Sequence, residues 1–155
     1  AGDLFDYYLE APGMLGGGLD KARALAEKAK GQDEAEYHFR LARIAEKQKD
    51  WAQAEAEYRR ALALAPQQAG RAVDLARFLS ERGRFEESDA MFRKAQEIAP
   101  GAPKVWFEQA KTYIKARRNL DVARQLLERY LKAPLTPDDP PRAEAEELLK
   151  QARGG

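Results

Sequence analysis

The feature that most constrains the fold is a 34-residue period that begins at Ala35. The first copy, residues 35–68, reads AEYHFRLARIAEKQKDWAQAEAEYRRALALAPQQ. Shifting this segment by 34 positions places its prominent residues on residues of the same character. The matched pairs are Leu41 and Leu75, Ala42 and Ala76, Tyr58 and Phe92, Ala61 and Ala95, and Pro66 and Pro100. Self-similarity at this spacing, in segments with helical periodicity, indicates stacked repeats that bury their apolar faces against their neighbours.

Apolar spacing predicts six helices within this repeating region. Asp33 and Asp50 are the predicted N-caps of the first two, and Pro66 and Pro100 follow helix ends. Because the turns are short, the paired helices are predicted to run antiparallel. The predicted helices are 34–48, 51–64, 68–82, 85–98, 103–117 and 120–132.

The predicted fold class is all-α, a right-handed α-solenoid of stacked antiparallel helix pairs. We expect a single domain over 1–155, with three clear repeats, a degenerate first repeat and a C-terminal capping helix. The predicted segments are 1–34 for the degenerate repeat, 35–68, 69–102 and 103–135 for the clear repeats, and 139–153 for the capping helix.

Three details refine this organisation. In the third repeat Ala123, Leu127 and Tyr130 come one residue late, which predicts an extra residue in the turn near Asn119. The capping helix is predicted to bury one apolar face, made by Ala145, Leu148, Leu149 and Ala152. The degenerate repeat is predicted to hold helices at 2–10 and 19–30 around a loop at 11–18. Its glycines lack the spacing of a nucleotide-binding loop, so we interpret them as a turn.

These residues resemble the tetratricopeptide repeat. The 35–68 unit departs from that motif at His38 and Ala45, and the resemblance covers about two thirds of the chain. It matches at Leu41, Ala42, Ala54, Tyr58, Ala61 and Pro66. The stretch DYYLEAPGMLGGGLDKA also looks like the opening unit of bacterial tetratricopeptide proteins, a likeness that bears on origin.

Stacked repeats would align equivalent residues of the first helices along an inner, concave groove. The apolar row of this predicted groove is Phe39, Val73 and Phe107. Its basic row is Arg43, Arg77 and Lys111. An apolar stripe beside fixed positive charge is suited to an acidic, amphipathic peptide or protein segment. The alternative is that Arg and Lys are there as good surface helix formers.

The best-known groove of the resembled family holds a chaperone's C-terminal carboxylate with Lys, Asn and Arg side chains. Here Asp74 and Glu108 stand where that clamp needs an amide and a base. Two acids would repel the carboxylate, so a co-chaperone role is disfavoured.

The sequence predicts no catalytic residue, no metal site and no cofactor. His38 is the only histidine, and the only serines, Ser80 and Ser88, lie in no nucleophile motif. A half-buried structural imidazole is the favoured interpretation of His38. Adjacent carboxylates such as Glu86 and Glu87 diverge on a helix, so they cannot act on one atom. The repeat phase predicts that Trp51 and Phe85 pack in the core.

Charge and hydropathy limit the classes of partner. The chain has 27 Lys and Arg residues and 26 Asp and Glu residues. This balance gives no strong positive potential that would attract nucleic acid. No apolar run is long enough for membrane insertion. The absence of Cys leaves the compartment open. The chain begins without Met, so two origins, a cleaved signal and a longer parent protein, stay open, and localisation is unresolved.

The sequence therefore predicts a non-enzymatic protein–protein interaction module that holds a peptide or protein segment in its groove. The alternative is an architectural segment of a longer solenoid or a self-associating subunit, that is, a homo-oligomer. Helical-repeat RNA binding ranks third because the basic excess is missing. An enzyme ranks last because no convergent polar site is visible.

Overall fold

The computed structural model describes residues 4–11 and 18–154. These residues form nine α-helices and no β-strand, which confirms the predicted all-α class. All six helices predicted between residues 34 and 132 are present, each end within one residue of its predicted position. The helices are α1 Leu4–Glu10, α2 Leu19–Ala29, α3 Glu34–Lys47, α4 Trp51–Leu64, α5 Ala69–Glu81, α6 Phe85–Ile98, α7 Pro103–Ala116, α8 Leu120–Lys132 and α9 Arg142–Gly154.

The chain divides into two compact units, Ala1–Pro66 and Gln67–Gly155, called unit 1 and unit 2 below. In unit 1, α2 packs on α1 and α3, and α3 pairs with α4. In unit 2, α5 pairs with α6 and α7 with α8, α5 also contacts α7, and α9 packs on α7 and α8. The predicted single domain over 1–155 stays a prediction.

Unit 1 is held by an apolar core and by two helix caps. Its core includes Phe5, Leu9, Ala22, Ala26 and Ile44. The Asp33 carboxylate accepts a hydrogen bond from the amide of Glu36, and that of Asp50 accepts one from the amide of Gln53. Both predicted N-caps are confirmed. Most of the predicted glycine loop, residues 12–17, lies outside the described residues.

Unit 2 closes on its last helix. The predicted face of α9 is buried, which removes its two leucines from water, a gain of roughly 1.5–3 kcal/mol for each fully covered side chain. One core cluster joins α7, α8 and α9: Phe107, Ala110, Tyr113, Ala123, Leu127, Tyr130, Ala145, Leu148 and Leu149. α9 therefore covers apolar residues of α7 and α8.

The turn inside each helix pair repeats in its backbone geometry. A residue with positive φ follows the first helix, and the next amide donates to a carbonyl five residues earlier, as in a Schellman motif. The positive φ angles are 61° at Lys49, 78° at Gly83 and 55° at Arg117. The N–O distances are 2.9 Å from Asp50 to Ala45, 2.9 Å from Arg84 to Leu79 and 3.0 Å from Arg118 to Tyr113.

The third turn contains the predicted extra residue. Asn119, with φ of 52°, follows the shared turn geometry, and α8 begins only at Leu120. The residues predicted to come one position late, Ala123, Leu127 and Tyr130, are all fully buried. The insertion is thus absorbed in the turn, and the core face of α8 is kept.

Candidate functional site

The two predicted groove residues of unit 1 lie on α3 and are both half-buried. The Phe39 ring lies 6.2 Å from the Tyr58 ring, and the Arg43 guanidinium lies 5.9 Å from the Phe39 ring. Arg43 Nη1 is also 3.5 Å from Asp6 Oδ1 on α1. The Arg43 charge is therefore partly balanced within the unit.

The predicted apolar row of unit 2 is packed between helices. Val73 is 8% exposed and Phe107 is 1% exposed, and the Phe107 ring lies 5.3 Å from the Tyr130 ring. Side chains with so little exposed area pack beneath the surface residues, and they have little area left for direct contact with a ligand. The repeat pattern placed these two residues on the first helices of their repeats, α5 and α7. It could not show which neighbouring helix covers them.

The predicted basic row of unit 2 is closer to solvent. Arg77 Nη1 lies 3.0 Å from Glu81 Oε1, and both side chains are half-buried. Lys111 Nζ lies 3.6 Å from Glu144 Oε1, with the lysine side chain 50% exposed. Lys115, one turn further along α7, lies 3.3 Å from Glu81 and is 71% exposed. Exposed pairs of this kind are weak, so both lysines can exchange their partners for a ligand.

Three clefts lie side by side in unit 2, and they share residues. The first, of about 630 Å³, lies between α5 and α7 and is lined by Val73, Asp74, Arg77, Lys104, Val105 and Glu108 among others. The second, also about 630 Å³, shares Arg77 and Glu108 with it and adds Glu81, Phe85, Lys111 and Lys115. The third, of about 760 Å³, shares both lysines and lies between α7 and α9. We call this continuous surface the three-cleft face.

The third cleft is lined by both apolar and positively charged side chains. Its apolar lining includes Ile114, Leu120 and Leu148. Four cationic side chains line it, Lys111, Lys115, Arg117 and Lys150, against one acidic side chain, Glu147. Sequence reasoning found only Lys111, because the other three cations lie outside the 34-residue row: Lys115 at another position of α7, Arg117 in a turn and Lys150 on α9. The arrangement suits carboxylate groups carried by an apolar segment.

Comparison with known families agrees with the repeat seen in this geometry. Models described as Tetratricopeptide repeat match residues 35–68 and 72–101. The chain is a tetratricopeptide repeat protein. The predicted family and the all-α, helical-repeat solenoid class are confirmed. Tetratricopeptide repeats are generally protein–protein interaction modules, and the family is generally a non-enzymatic scaffold. No curated protein gives a significant match to the chain.

Glu108 differs from the other charged groups of this tetratricopeptide repeat protein. Its half-buried side chain lines both the first and the second cleft. Burial raises the pKa of the Glu108 carboxyl, and the nearby charge of Glu144 adds to this, whereas Lys111, Lys104 and Arg77 oppose it. The carboxylate makes no hydrogen bond or ion pair with any residue that the structure describes. Sequence reasoning named this acid but could not show that it lacks a partner.

The other groups weighed for chemistry have structural surroundings. His38 is half-buried, as predicted, with Nδ1 3.2 Å from Oε1 of the buried Glu57. Phe85 was predicted to pack in the core, which is wrong, since it is 37% exposed and carries the Arg118 guanidinium 4.7 Å above its ring. Within residues 4–11 and 18–154, no cluster of three His, Asp or Glu side chains could hold a metal ion.

None of the helices in the described part of the chain has the length and apolarity needed to cross a membrane.

Proposed function

We propose that this tetratricopeptide repeat protein holds an acidic, amphipathic protein segment along the three-cleft face of unit 2. The observation that carries the proposal is the third cleft, which four cationic side chains line together with apolar ones. Apolar side chains of the segment would cover the half-buried Ile114 and Leu120, and its carboxylates would approach the Lys and Arg side chains of the cleft. Binding would combine area burial with charge complementarity.

The residues predicted from the sequence take different roles in this proposal. Lys111 contacts the ligand directly, and Arg77 lies at the junction of the first two clefts. Val73 and Phe107 pack beneath the residues that contact the ligand. Phe39 and Arg43 occupy equivalent repeat positions in unit 1, and substituting them separately asks whether that unit adds to binding.

The test uses a synthetic, fluorescein-labelled amphipathic peptide with an acidic polar face, followed by fluorescence anisotropy. The double variant Arg117→Glu with Lys150→Glu reverses two charges that have no ion-pair partner among the described residues. We expect affinity to fall by at least about tenfold, which corresponds to about 1.4 kcal/mol. Phe39→Ala and Arg43→Gln are measured beside it.

The matched control is Lys94→Glu with Lys132→Glu, two exposed lysines on α6 and α8 that lie outside the three clefts. It makes the same change in net charge, so a general charge effect would weaken both variants equally. Equal loss in the two variants, or unchanged affinity in the Arg117 and Lys150 variant, would overturn the three-cleft face as the site. Wild-type affinity should also fall as salt rises, because the Debye length shortens from about 10 Å at 0.1 M to about 3 Å at 1 M.

A second candidate function is self-association through unit 1. Leu4 is 54% exposed and Tyr7 is 50% exposed on α1, which leaves apolar area on the surface of that helix. Sedimentation equilibrium should then show a mass that rises with concentration, and Leu4→Ser with Tyr7→Ser should abolish that rise. A monomeric mass at all concentrations would exclude this function.

A further inference from the structure

We propose that Glu108 selects partners that place a Lys or Arg side chain at the junction of the first and second clefts. This inference rests on the proposed function and names a feature of the bound segment. The segment would carry one cation opposite Glu108 and its carboxylates opposite the third cleft. A uniformly acidic segment would bind more weakly, because its carboxylate would be repelled at this junction.

The first ground is the position of the side chain. Glu108 lies on α7, and it lines both clefts on either side of the α5–α7 contact. A ligand that follows the three-cleft face from the first cleft to the third must pass over it. Its carboxylate is therefore met by any segment that occupies the whole face.

The second ground is the unmet charge. Carboxylates that lose water at a protein surface are normally compensated by an ion pair or by hydrogen bonds. Glu108 has neither within the described residues, although it is half-buried. Its pKa is raised chiefly by that burial. A cation supplied by the partner would complete an arrangement that the free protein leaves incomplete.

The surrounding charges do not remove this requirement. Arg77 of α5 and Lys104 and Lys111 of α7 act on Glu108 at a distance, but none lies within ion-pair reach of its carboxylate. Asp74 of α5 lines the first cleft beside it, and Glu144 of α9 adds further negative potential. Asp74 and Glu144 therefore favour an incoming cation, whereas Arg77, Lys104 and Lys111 oppose it from beyond ion-pair distance of Glu108.

The geometry of α7 also sets the spacing of charges in the partner. Glu108 and Lys115 are seven residues apart on one helix, a rise of roughly 10 Å. A bound segment should therefore separate its cation from its carboxylates by about seven residues if it is helical. An extended segment would need about three residues for the same distance.

The experiment uses three labelled peptides with the same apolar face and the same acidic residues. They differ only at one position, seven residues from the acidic cluster, which is Lys, Gln or Glu. Wild-type protein should bind the Lys peptide at least about tenfold more tightly than the Gln peptide, and the Glu peptide most weakly. A parallel set with three-residue spacing tests the extended form.

Substitution of the carboxylate tests the assignment. Glu108→Gln should bind the Lys and Gln peptides equally, and Glu108→Lys should favour the Glu peptide. Glu97→Gln is the matched control, since Glu97 is exposed on α6, and it should keep the wild-type order. Equal affinity of wild type for all peptides of both sets overturns the inference alone, whereas absence of binding by every peptide overturns the proposed function as well.

The pH dependence of peptide binding distinguishes direct contact with the ligand from a purely structural role of Glu108. Because a bound cation favours ionised Glu108, the ratio of Lys-peptide to Gln-peptide affinity should rise with pH through the pKa of Glu108 and level off above it. The acidic residues common to both peptides cancel in this ratio. The ratio should be independent of pH in Glu108→Gln, and a pH-independent ratio in wild type would contradict the assignment.

Folding stability separates the binding role from a folding role. Burial favours the neutral carboxyl in the native state, so ionisation above the ordinary pKa of 4.5 opposes folding. Glu108→Gln should therefore be more stable than wild type at pH 7, with the difference vanishing below that value. A less stable Gln variant would show that the carboxylate serves the fold, and would overturn the inference.

Discussion

The second helix of the repeat begins differently in the two units. In unit 1, the Asp50 side chain caps α4, and Asp33 likewise caps α3. In unit 2, the equivalent residue is Arg84, and α5, α6, α7 and α8 have no hydrogen bond from a side-chain cap. Unit 2 fully buries more large side chains, Phe78, Phe92, Phe107 and Tyr130, against Tyr58 in unit 1. Side-chain capping therefore adds to tertiary packing in unit 1, whereas unit 2 depends on tertiary packing with more buried rings.

A second difference concerns the residues equivalent to Glu55 and Asp89, which are 34 positions apart. Glu55 accepts from Arg59 one turn along the same helix, at 2.9 Å. Asp89 accepts two hydrogen bonds from Arg118 across the fold of unit 2, at 2.9 Å and 2.8 Å. The Arg118 guanidinium also lies 5.1 Å from the Tyr113 ring. Unit 2 thus uses a distant ion pair where unit 1 uses a local one.

The two tryptophans allow the units to be followed separately. Trp51 lies in unit 1 and Trp106 in unit 2. Urea unfolding measured by fluorescence in Trp51→Phe and Trp106→Phe backgrounds therefore reports on one unit at a time. The predictions that follow use these backgrounds and run from the largest expected effect to the smallest.

Loss of a buried ring should give the largest difference in stability loss between the two units. Phe107→Ala removes a fully covered side chain from the α7–α8–α9 core and should destabilise unit 2 by about 3–5 kcal/mol. The equivalent change in unit 1, Phe39→Ala, should cost less because that ring is half-buried. Equal losses in the two urea transitions would contradict the greater contribution of buried rings to the stability of unit 2.

The second largest effect on stability should come from breaking the ion pair between Asp89 and Arg118 in unit 2. Hydrogen bonds from Arg118 are the main cause that lowers the pKa of Asp89, against the opposing effect of burial. The ionised form thus stabilises the fold above the ordinary pKa of 3.8, and this stability is lost as pH falls through the lower folded value. Asp89→Asn should cost about 1.5–3 kcal/mol at pH 7, since hydrogen bonds to charged groups contribute this much.

The pH profile and the equivalent residue control this prediction. The difference between wild type and Asp89→Asn should shrink once pH falls below 3.8. Glu55→Gln in unit 1 should change stability by no more than about 0.5 kcal/mol, as expected for a local helix pair. A loss at Glu55 as large as that at Asp89 would remove the distinction between distant and local pairs.

The helix caps should matter in unit 1 alone. Asp50→Ala removes the acceptor of the Gln53 amide and should destabilise unit 1 by about 1 kcal/mol, within a range of about 0.5–2. Asp50→Asn keeps an acceptor and should restore most of this loss. Arg84→Ala, at the equivalent position, should have little effect on unit 2, because Arg84 makes an exposed pair with Glu87. Loss of stability in the Asn variant equal to that in Ala would show that the cap does not stabilise α4.

The smallest effects should come from exchanging the turn residues. Lys49 and Gly83 occupy the same left-handed position, and a Cβ atom added at Gly83 would meet no neighbour within 4 Å. The side chain therefore acts only through backbone strain. Lys49→Gly should stabilise unit 1 by about 0.5–1 kcal/mol, and Gly83→Lys should destabilise unit 2 by a similar amount. Changes of the same sign at both positions would contradict this account.

Much of the fold was readable from the sequence because it depends on local or periodic signals. Asp33 and Asp50 cap helices through residues three positions away, and the period places each helix. The extra residue near Asn119 was visible as a one-residue delay of Tyr130. Contacts of this kind need no knowledge of distant partners.

The candidate site was less predictable because its charges are balanced from outside the repeat row. Arg43 pairs with Asp6 and Lys111 with Glu144, and neither acid belongs to the three repeats identified in the sequence. The row predicted where the cations lie but not what they contact. The burial of Phe107 likewise depends on α9. Whether the Glu108 carboxylate has an ion pair or a hydrogen bond depends on the positions of all the side chains around it. Such properties arise from tertiary structure and have no local signal.

The added residue at Asn119 has a consequence for how this chain can change in length. An insertion within a helix would rotate every following side chain by about 100° and turn its apolar face outward. In the third turn, one more residue costs only a second left-handed backbone position, and the core residues of α8 stay fully covered. Tolerance of insertion is therefore concentrated at the junctions of paired helices, and these junctions are the places where a peptide tag, a reporter or an entire domain can be introduced without disturbing the packing on either side.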